Sequence, residues 1–338
     1  MTPVRRTLVL FCGGGSGGHL TPGLAVADAL SAGDDPPEIL FLVGDRPVER
    51  RMMEAESYLH QSFPLAPVRR TLTSIAAARG FAGAVRSARR AAKGRPTVAV
   101  GTGGYVSVPG VLGAKMGGAV VFLIEPNAVD GRAKRALSPW ADRVFRATPN
   151  RKRGLPAEVR VEPRSLLVLG GSSGSASLDA AVPAAVAGLS GVGSLRIRHQ
   201  CGGDPEAVRS AYVAAGVPAE QVEVASFFPN AAVRLAESAA AITRAGALTL
   251  AEAAGYGVRP ILVPYPHAAG HQLANARRHA AVQGCAVVEE GPNLPERLRA
   301  ALAESLAEAP PAVRRLTPID PAANVAELIR AELRRLRG

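Results

Sequence analysis

At three points in this chain a short, unbroken apolar run passes straight into a cluster of glycines, and that juxtaposition restricts the fold more than any other feature. Thr7 to Cys12 runs into Gly13-Gly14-Gly15-Ser16-Gly17-Gly18, Val98 to Val100 into Gly101-Thr102-Gly103-Gly104, and Leu166 to Leu169 into Gly170-Gly171-Ser172-Ser173-Gly174. Runs of this length suit strands covered on both faces, hence a parallel sheet with crossover helices. In such a sheet the turn after each strand lies at the carboxyl edge, the side on which ligands bind. Further strand candidates are Ile39 to Val43, Ala119 to Ile124, Leu195 to His199, Val222 to Val224, Ala240 to Thr243 and Ile261 to Val263, separated by alanine-rich helical segments. The grammar runs once through the first half and restarts in the second, which predicts two Rossmann-like α/β units without any short-period repeat.

A length of 338 residues accommodates two domains, each with its own core. The expected division is an N-terminal domain over 1–148, a polar, proline-broken linker over 149–164, a second domain over 165–320 and a terminal helix over 321–338 that packs back onto one of them. Thr21 followed by Pro22 predicts a helix start there, with Thr21 as cap and the helix running through Leu30. Cys12, Cys201 and Cys285 are too few and too scattered for a disulfide scaffold or a thiolate metal cluster, and no Asp/Glu group completes a shell around His199, His267 and His271. The run Thr7 to Cys12 ends too soon for a signal peptide or a membrane span. The net charge of +12 favours an anionic partner, but with only 4% aromatic residues and no reader motif, nucleic acid is not the expected one.

The glycine loops are either tight strand-to-helix turns or anion sites, where backbone amides at a helix start approach a phosphate. Gly13, Gly15 and Gly18 formally satisfy the dinucleotide fingerprint, with Asp45 available for a cofactor ribose, so an oxidoreductase is one competing reading. The loop at Gly170 lacks the Gly-Lys-Ser/Thr ending of a P-loop, which argues against ATP hydrolysis. His19 is either a brace or a general base, and Tyr105 either touches an acceptor or covers apolar surface. Glu125 and Asn127 follow the strand Ala119 to Ile124; the carboxylate is a base, an acceptor-orienting group or half of an ion pair. Arg244 can pair with phosphate and Glu252 can accept ribose hydroxyls, with helix capping as the alternative. His271, Gln272 and Asn275 fall within about one helical turn and bring polar groups together.

Taken in order, Gly14-Gly15-Ser16-Gly17-Gly18-His19, Gly101-Thr102-Gly103-Gly104-Tyr105, Gly170-Gly171-Ser172, Arg244-Ala245-Gly246-Ala247, Pro264-Tyr265-Pro266 and His271-Gln272-Leu273-Ala274-Asn275 resemble the MurG family of bacterial peptidoglycan glycosyltransferases over roughly Val4 to Glu290. The resemblance implies a GT-B fold, two Rossmann-like domains facing an interdomain cleft. It also implies inverting transfer of N-acetylglucosamine from UDP-N-acetylglucosamine to the 4-hydroxyl of undecaprenyl-diphosphate-linked muramyl pentapeptide, without an obligatory metal or other cofactor. On this resemblance Gly170, Gly171, Ser172 and Ser173 approach the diphosphate, Arg244, Ala245, Gly246, Ala247, Leu248 and Thr249 line the nucleotide pocket, and Glu252 holds ribose. Gln272 and Asn275 hold the sugar or diphosphate; Gly17, Gly18, Gly103, Gly104, Tyr105 and Asn127 belong to the acceptor side, with His19 the first base candidate and Glu125 the second.

The implied acceptor places the protein on the inner face of the bacterial cell membrane as a peripheral protein. From Arg69 to Arg95 seven arginines and Lys93 occur without an acid, interleaved with Leu72, Ile75, Phe81 and Val85, a pattern suited to anionic lipid or to a solvated helix face. The chain departs from the family's motifs in several places. It lacks the interdomain Gly-Asn-Pro-x-Arg string, for which Arg160 or Arg164 are substitute candidates, and reads Ile124-Glu125-Pro126-Asn127 where the family has His-Glu-Gln-Asn. It carries Ser173 in a glutamine's place, no aspartate beside Phe227-Phe228-Pro229-Asn230, and Ala269-Gly270 where acidic residues are usual. These changes keep open a related transferase with another sugar donor or another lipid or natural-product acceptor, and a non-catalytic UDP-binding or membrane-scaffold protein.

Overall fold

The computed structural model describes residues 6–15, 17–66, 74–151, 155–171, 174–267, 270–317 and 320–338. In chain order the first unit contains β1 (Leu8–Gly13), α1 (Gly17–Ser31), β2 (Glu38–Gly44), α2 (Pro47–Glu54), β3 (Leu59–Phe63), α3 (Ile75–Ala92), β4 (Thr97–Gly103), α4 (Ser107–Met116), β5 (Val120–Ile124), α5 (Arg132–Leu137) and β6 (Arg143–Phe145). The second contains β7 (Glu158–Arg160), β8 (Glu162–Leu169), α6 (Ala176–Val186), β9 (Arg196–Gln200), α7 (Pro205–Ala214), β10 (Val222–Ala225), α8 (Ala231–Glu237), β11 (Ser238–Thr243), α9 (Ala247–Gly255), β12 (Ile261–Leu262), α10 (His271–Gln283), α11 (Leu294–Ala307) and β13 (Val313–Arg315). The last helix, α12 (Pro321–Arg337), returns to the first unit, so the two units are Met1–Lys152 with Asp320–Gly338, and Arg153–Ile319.

Each unit is a parallel sheet of the doubly wound kind. The first has strand order β3-β2-β1-β4-β5-β6 and the second β10-β9-β8-β11-β12, with every pairing in both sheets parallel. Strand order reverses between β1 and β4 in one and between β8 and β11 in the other, and these are the switch points where ligands sit. Burial on both faces explains the unbroken apolar runs. Val9 and Phe11 of β1 pack with Leu20 and Leu24 of α1 and with Ile329 of α12, while Leu8, Leu10 and Cys12 face α3 and α4. In β8, Leu166 and Val168 enter one core and Leu167 and Leu169 the other.

α12 is seated by its Val325, Ala326, Ile329 and Leu333 stripe, is capped by Asp320, and returns Arg330 to the carbonyls of Ala29 and Leu30 at the end of α1. At the exit from the first unit, Arg151 forks onto Asp28 and Glu56, and hydrogen bonds from those carboxylates hold its charge even more firmly than usual.

Three expectations need correction. α1 begins at Gly17, so Thr21 is no cap and Pro22 lies inside the helix. Leu20, Leu24 and Ala27 lie on one buried face, and burying Leu20 favours the earlier start over the lost amide of Pro22. Residues 149–164 are not a linker throughout, because β7 and the start of β8 fall there; β7 pairs antiparallel with β13, and its Glu-Val-Arg composition hides the strand. Arg164 does not stand in for a diphosphate-binding arginine. It sits at φ 54° near the amino end of β8, the opposite end of the sheet from the Gly170 loop, and spends its guanidinium on Ser194 and the carbonyl of Gly191. Arg160 is exposed on β7, paired in register with Val313.

The basic helix α3 buries only small residues, Ala77, Gly80, Ala84, Ala88 and Ala92, which lets it lie close against α4. A Cβ on Gly113 of α4 would fall 2.3 Å from the Val85 carbonyl oxygen. Gly113→Val therefore forces the two helices apart and is expected to destabilise the protein by about 1–3 kcal/mol, measured as a lowered urea midpoint, whereas Gly118→Ala, whose Cβ would meet nothing within 4 Å, should cost less despite its positive φ.

Candidate functional site

The carboxyl edge of the first sheet brings the β1–α1 and β4–α4 loops together. Gly104 has φ 74°, and a Cβ there would fall 2.1 Å from the carbonyl oxygen of Gly14, so only glycine permits this approach. His19 lies in the first turn of α1, half-buried, with Nδ1 2.8 Å from where a Cβ on Gly103 would be. Its imidazole is thus packed on Gly103 and Gly104, and Gly17 and Gly18 precede it in the same turn. Tyr105 covers Gly15, and burial followed by the charge of Glu49 pushes its hydroxyl above the usual phenol range.

Glu49, which the sequence reading missed, holds this loop from below. It is fully buried, and its Oε1 accepts from the amides of Gly15 and Gly44, each at 2.9 Å, while Oε2 has no hydrogen-bond partner among the described residues. Arg46 completes the brace by donating to the Gly15 carbonyl at 2.7 Å. The only trace of this in the sequence is an acid in the first turn of the helix after β2, four residues before Met53 on the same buried face.

Glu125 is also a brace. Its Oε1 accepts from the backbone and side-chain amides of Asn127, each at 3.0 Å, and its Oε2 accepts from Gly131 at 2.9 Å. Both oxygens are committed to the loop after β5, so the expected ion pair is absent among the described residues and the carboxylate is poorly placed to act as a base.

The second sheet brings its own loops together. Ser172 and Ser173 lie outside the described residues, but their flanks are informative: Gly171 has φ 87°, and a Cβ on Gly174 would fall 2.1 Å from the Cα of Gly202. Ser175 caps α6 by accepting from Leu178. Arg244, at the end of β11, is 6% exposed and engaged on several sides. It donates to the Val263 carbonyl at 3.1 Å, to Ser175 Oγ at 2.6 Å and to Ser177 Oγ at 2.9 Å, pairs with Glu290 at 2.5 Å and lies 5.4 Å from the Tyr265 ring centroid. Arg244 therefore braces the loops at this end of the sheet from within.

Gln272 and Asn275 open α10 and hold the turn after β11. Gln272 Oε1 accepts from the amides of Ala245 and Tyr265, and Asn275 Nδ2 donates to the Ala245 carbonyl. Ala245 is buried, Gly246 is the N-cap of α9, Ala247, Leu248 and Thr249 form its first turn, and Glu252 is partly exposed one turn later. A further trio lies behind the loop. Asp179 accepts from Gly202 and Gly203 and meets His199, whose other nitrogen is 2.8 Å from the Tyr212 hydroxyl. Burial works against the Asp179 charge, but the adjacent His199 and the two amides outweigh it and hold the carboxyl below its usual range. Among the described residues no group of His, Cys, Asp or Glu could hold a metal ion.

Two Rossmann-like units, each with its polar and glycine-rich loops at the switch point, define a GT-B glycosyltransferase. The chain belongs to glycosyltransferase family 28: residues 9–146 match the family's N-terminal domain and residues 165–325 its C-terminal domain. It is 35% identical over 318 residues to the UDP-N-acetylglucosamine--N-acetylmuramyl-(pentapeptide) pyrophosphoryl-undecaprenol N-acetylglucosamine transferase of Sorangium cellulosum, covering 84% of this chain and 76% of the relative. The enzyme of the same name from Chromohalobacter salexigens is 37% identical over 297 residues, 80% of each chain. The crystal structure of Acinetobacter baumannii MurG superposes with a TM-score of 0.70 at 25% identity, over 97% of this chain and 100% of that one. The calicheamicin glycosyltransferase CalG4 shares the fold, with a TM-score of 0.58 at 15% identity over 99% and 96% of the two chains.

Removing the Glu49 carboxylate leaves two inward-facing amides without an acceptor. Glu49→Ala is expected to cost about 2–4 kcal/mol in urea unfolding and to raise hydrogen exchange at Gly15 and Gly44, whereas Glu49→Gln, which keeps an acceptor oxygen, costs less.

Proposed function

We propose that this glycosyltransferase moves N-acetylglucosamine from UDP-N-acetylglucosamine to the 4-hydroxyl of a muramyl pentapeptide carried on undecaprenyl diphosphate, with inversion to a β linkage. The observation that carries the reading is the division of labour between the two sheets. One presents a histidine among close-packed glycines, and the other presents the N-terminus of α6 backed by a neutralised arginine. In the proposed reaction the acceptor oxygen bonds to the anomeric carbon, the bond from that carbon to the diphosphate oxygen breaks, and UDP leaves. His19 accepts the hydroxyl proton; it is preferred over Glu125 because both oxygens of Glu125 already serve the loop after β5.

The growing charge on UDP meets the amides of Gly170, Gly171 and the first turn of α6, together with Ser172 and Ser173, in the field of the helix dipole. Arg244 and Ala245, both buried, back the nucleotide pocket that Gly246 to Thr249 line, Glu252 takes the ribose hydroxyls, and Gln272 and Asn275 set the sugar side through the Ala245 turn. Tyr105, Asn127, Gly17, Gly18, Gly103 and Gly104 frame the acceptor.

A lipid-linked acceptor calls for contact with a membrane surface, and no helix among the described residues is long and apolar enough to cross one. We assign that contact to α3, which exposes Ile75, Arg79, Arg86, Arg89 and Arg90, on the inner face of the cell membrane. Arg69, Arg70 and Leu72 lie outside the described residues, Phe81 and Val85 are half-buried, and Arg95 is tied to Glu38 instead. Vesicles with anionic lipid should retain the protein and release it at high salt, and reversing Arg86, Arg89 and Arg90 to Glu should abolish retention without lowering thermal stability; equal binding to neutral vesicles would reject the assignment.

Incubation with UDP-N-acetylglucosamine and the lipid-linked muramyl acceptor should yield a product heavier by one N-acetylhexosamine. His19→Ala should lower kcat by about 10²–10⁴-fold with little change in UDP affinity. Turnover of a different acceptor alone would assign the enzyme to the altered-acceptor class that Pro126 leaves open.

A further inference from the structure

We propose that Glu290 is a positioning residue for the donor diphosphate, acting through Ser177 and Arg244; this rests on the donor reading of the second unit given above. Glu290 lies on the segment just before α11, far in sequence from both partners. Its Oε1 is 2.5 Å from Ser177 Oγ and 2.5 Å from Arg244 Nη2. Ser177 is in the first turn of α6, two residues after the cap, and Arg244 Nη2 reaches that cap, Ser175 Oγ, at 2.6 Å. One carboxylate oxygen therefore ties the amino end of α6 to the end of β11.

Two consequences follow from the chemistry. The amides that would receive a phosphate sit at the start of α6, and their aim depends on where that first turn is held. The Arg244 guanidinium, 7% exposed in its side chain, requires a counter-charge, and Glu290 is its ion-pair partner. With that charge cancelled, Arg244 can keep Ser175 and Ser177 in place without being drawn toward solvent. Glu290 need not touch the substrate to govern how well it binds.

The discriminating experiment pairs UDP calorimetry with donor and acceptor kinetics for Glu290→Ala, Glu290→Gln and Ser177→Ala. Glu290→Ala should weaken UDP binding and raise the donor KM about tenfold while the acceptor KM stays within about twofold, and Glu290→Gln, which retains an acceptor oxygen but not the counter-charge, should recover part of the loss. Ser177→Ala cuts one arm of the tether and should move the same parameters by a smaller factor, which keeps the test open if Glu290→Ala does not fold. Unchanged UDP affinity in both Glu290→Ala and Ser177→Ala, a parallel rise in donor and acceptor KM, or no recovery in Glu290→Gln would overturn the proposal. Calorimetry needs no turnover, so a wild type that binds UDP but fails to glycosylate the muramyl acceptor would refute the reaction without touching Glu290.

Discussion

A guanidinium buried in protein must be met by acceptors and by a counter-charge, and the second unit of this enzyme is arranged around meeting one. Arg244 gathers the cap of α6, the next hydroxyl along that helix, the carbonyl of Val263 and the carboxylate of Glu290. Those partners come from three separate stretches of chain. Bound to a single group, they fix the amino end of α6 against the end of β11 at the β8/β11 switch point.

The first unit reaches the same end with the opposite charge. There the buried group is the Glu49 carboxylate, which takes the amides of Gly15 and Gly44 from beneath, while Arg46 holds the Gly15 carbonyl from outside. Glycine does the remaining work, because Gly104 brings the β4 turn against Gly14 at a distance no side chain allows. His19 is packed into that contact. In both units a charged side chain two or more elements away from the loop in sequence determines the shape of the loop, and the loop residues themselves supply mostly backbone.

Much of the fold could be read from the residues because parallel strands buried on both faces are written as unbroken apolar runs; β1, β4, β5, β8 and β11 all carry that signature. Strands β3, β6, β7 and β13 do not, being short, polar and at sheet margins. Pro22 misled for a related reason: a local start signal yielded to the burial of Leu20 on the sheet. Among site residues, the glycines, His19, Arg244 and Gln272 stand in recognisable strings. Glu49, Ser177, Asp179 and Glu290 do not, since each acts on a loop distant from it and nothing in its own surroundings marks it.

Two doubly wound units, the glycine turns at their carboxyl edges and the family to which the chain belongs are legible in the residues alone, because periodicity and local strings are properties of neighbouring residues. Tertiary packing set what the charged groups do. It turned Glu125 and Arg244 inward as braces, sent Arg164 to the far end of its sheet, and recruited Glu49 and Glu290 to hold the loops. Counter-charge and hydrogen-bond satisfaction in a buried site depend on which segments meet in space, and no local pattern records that.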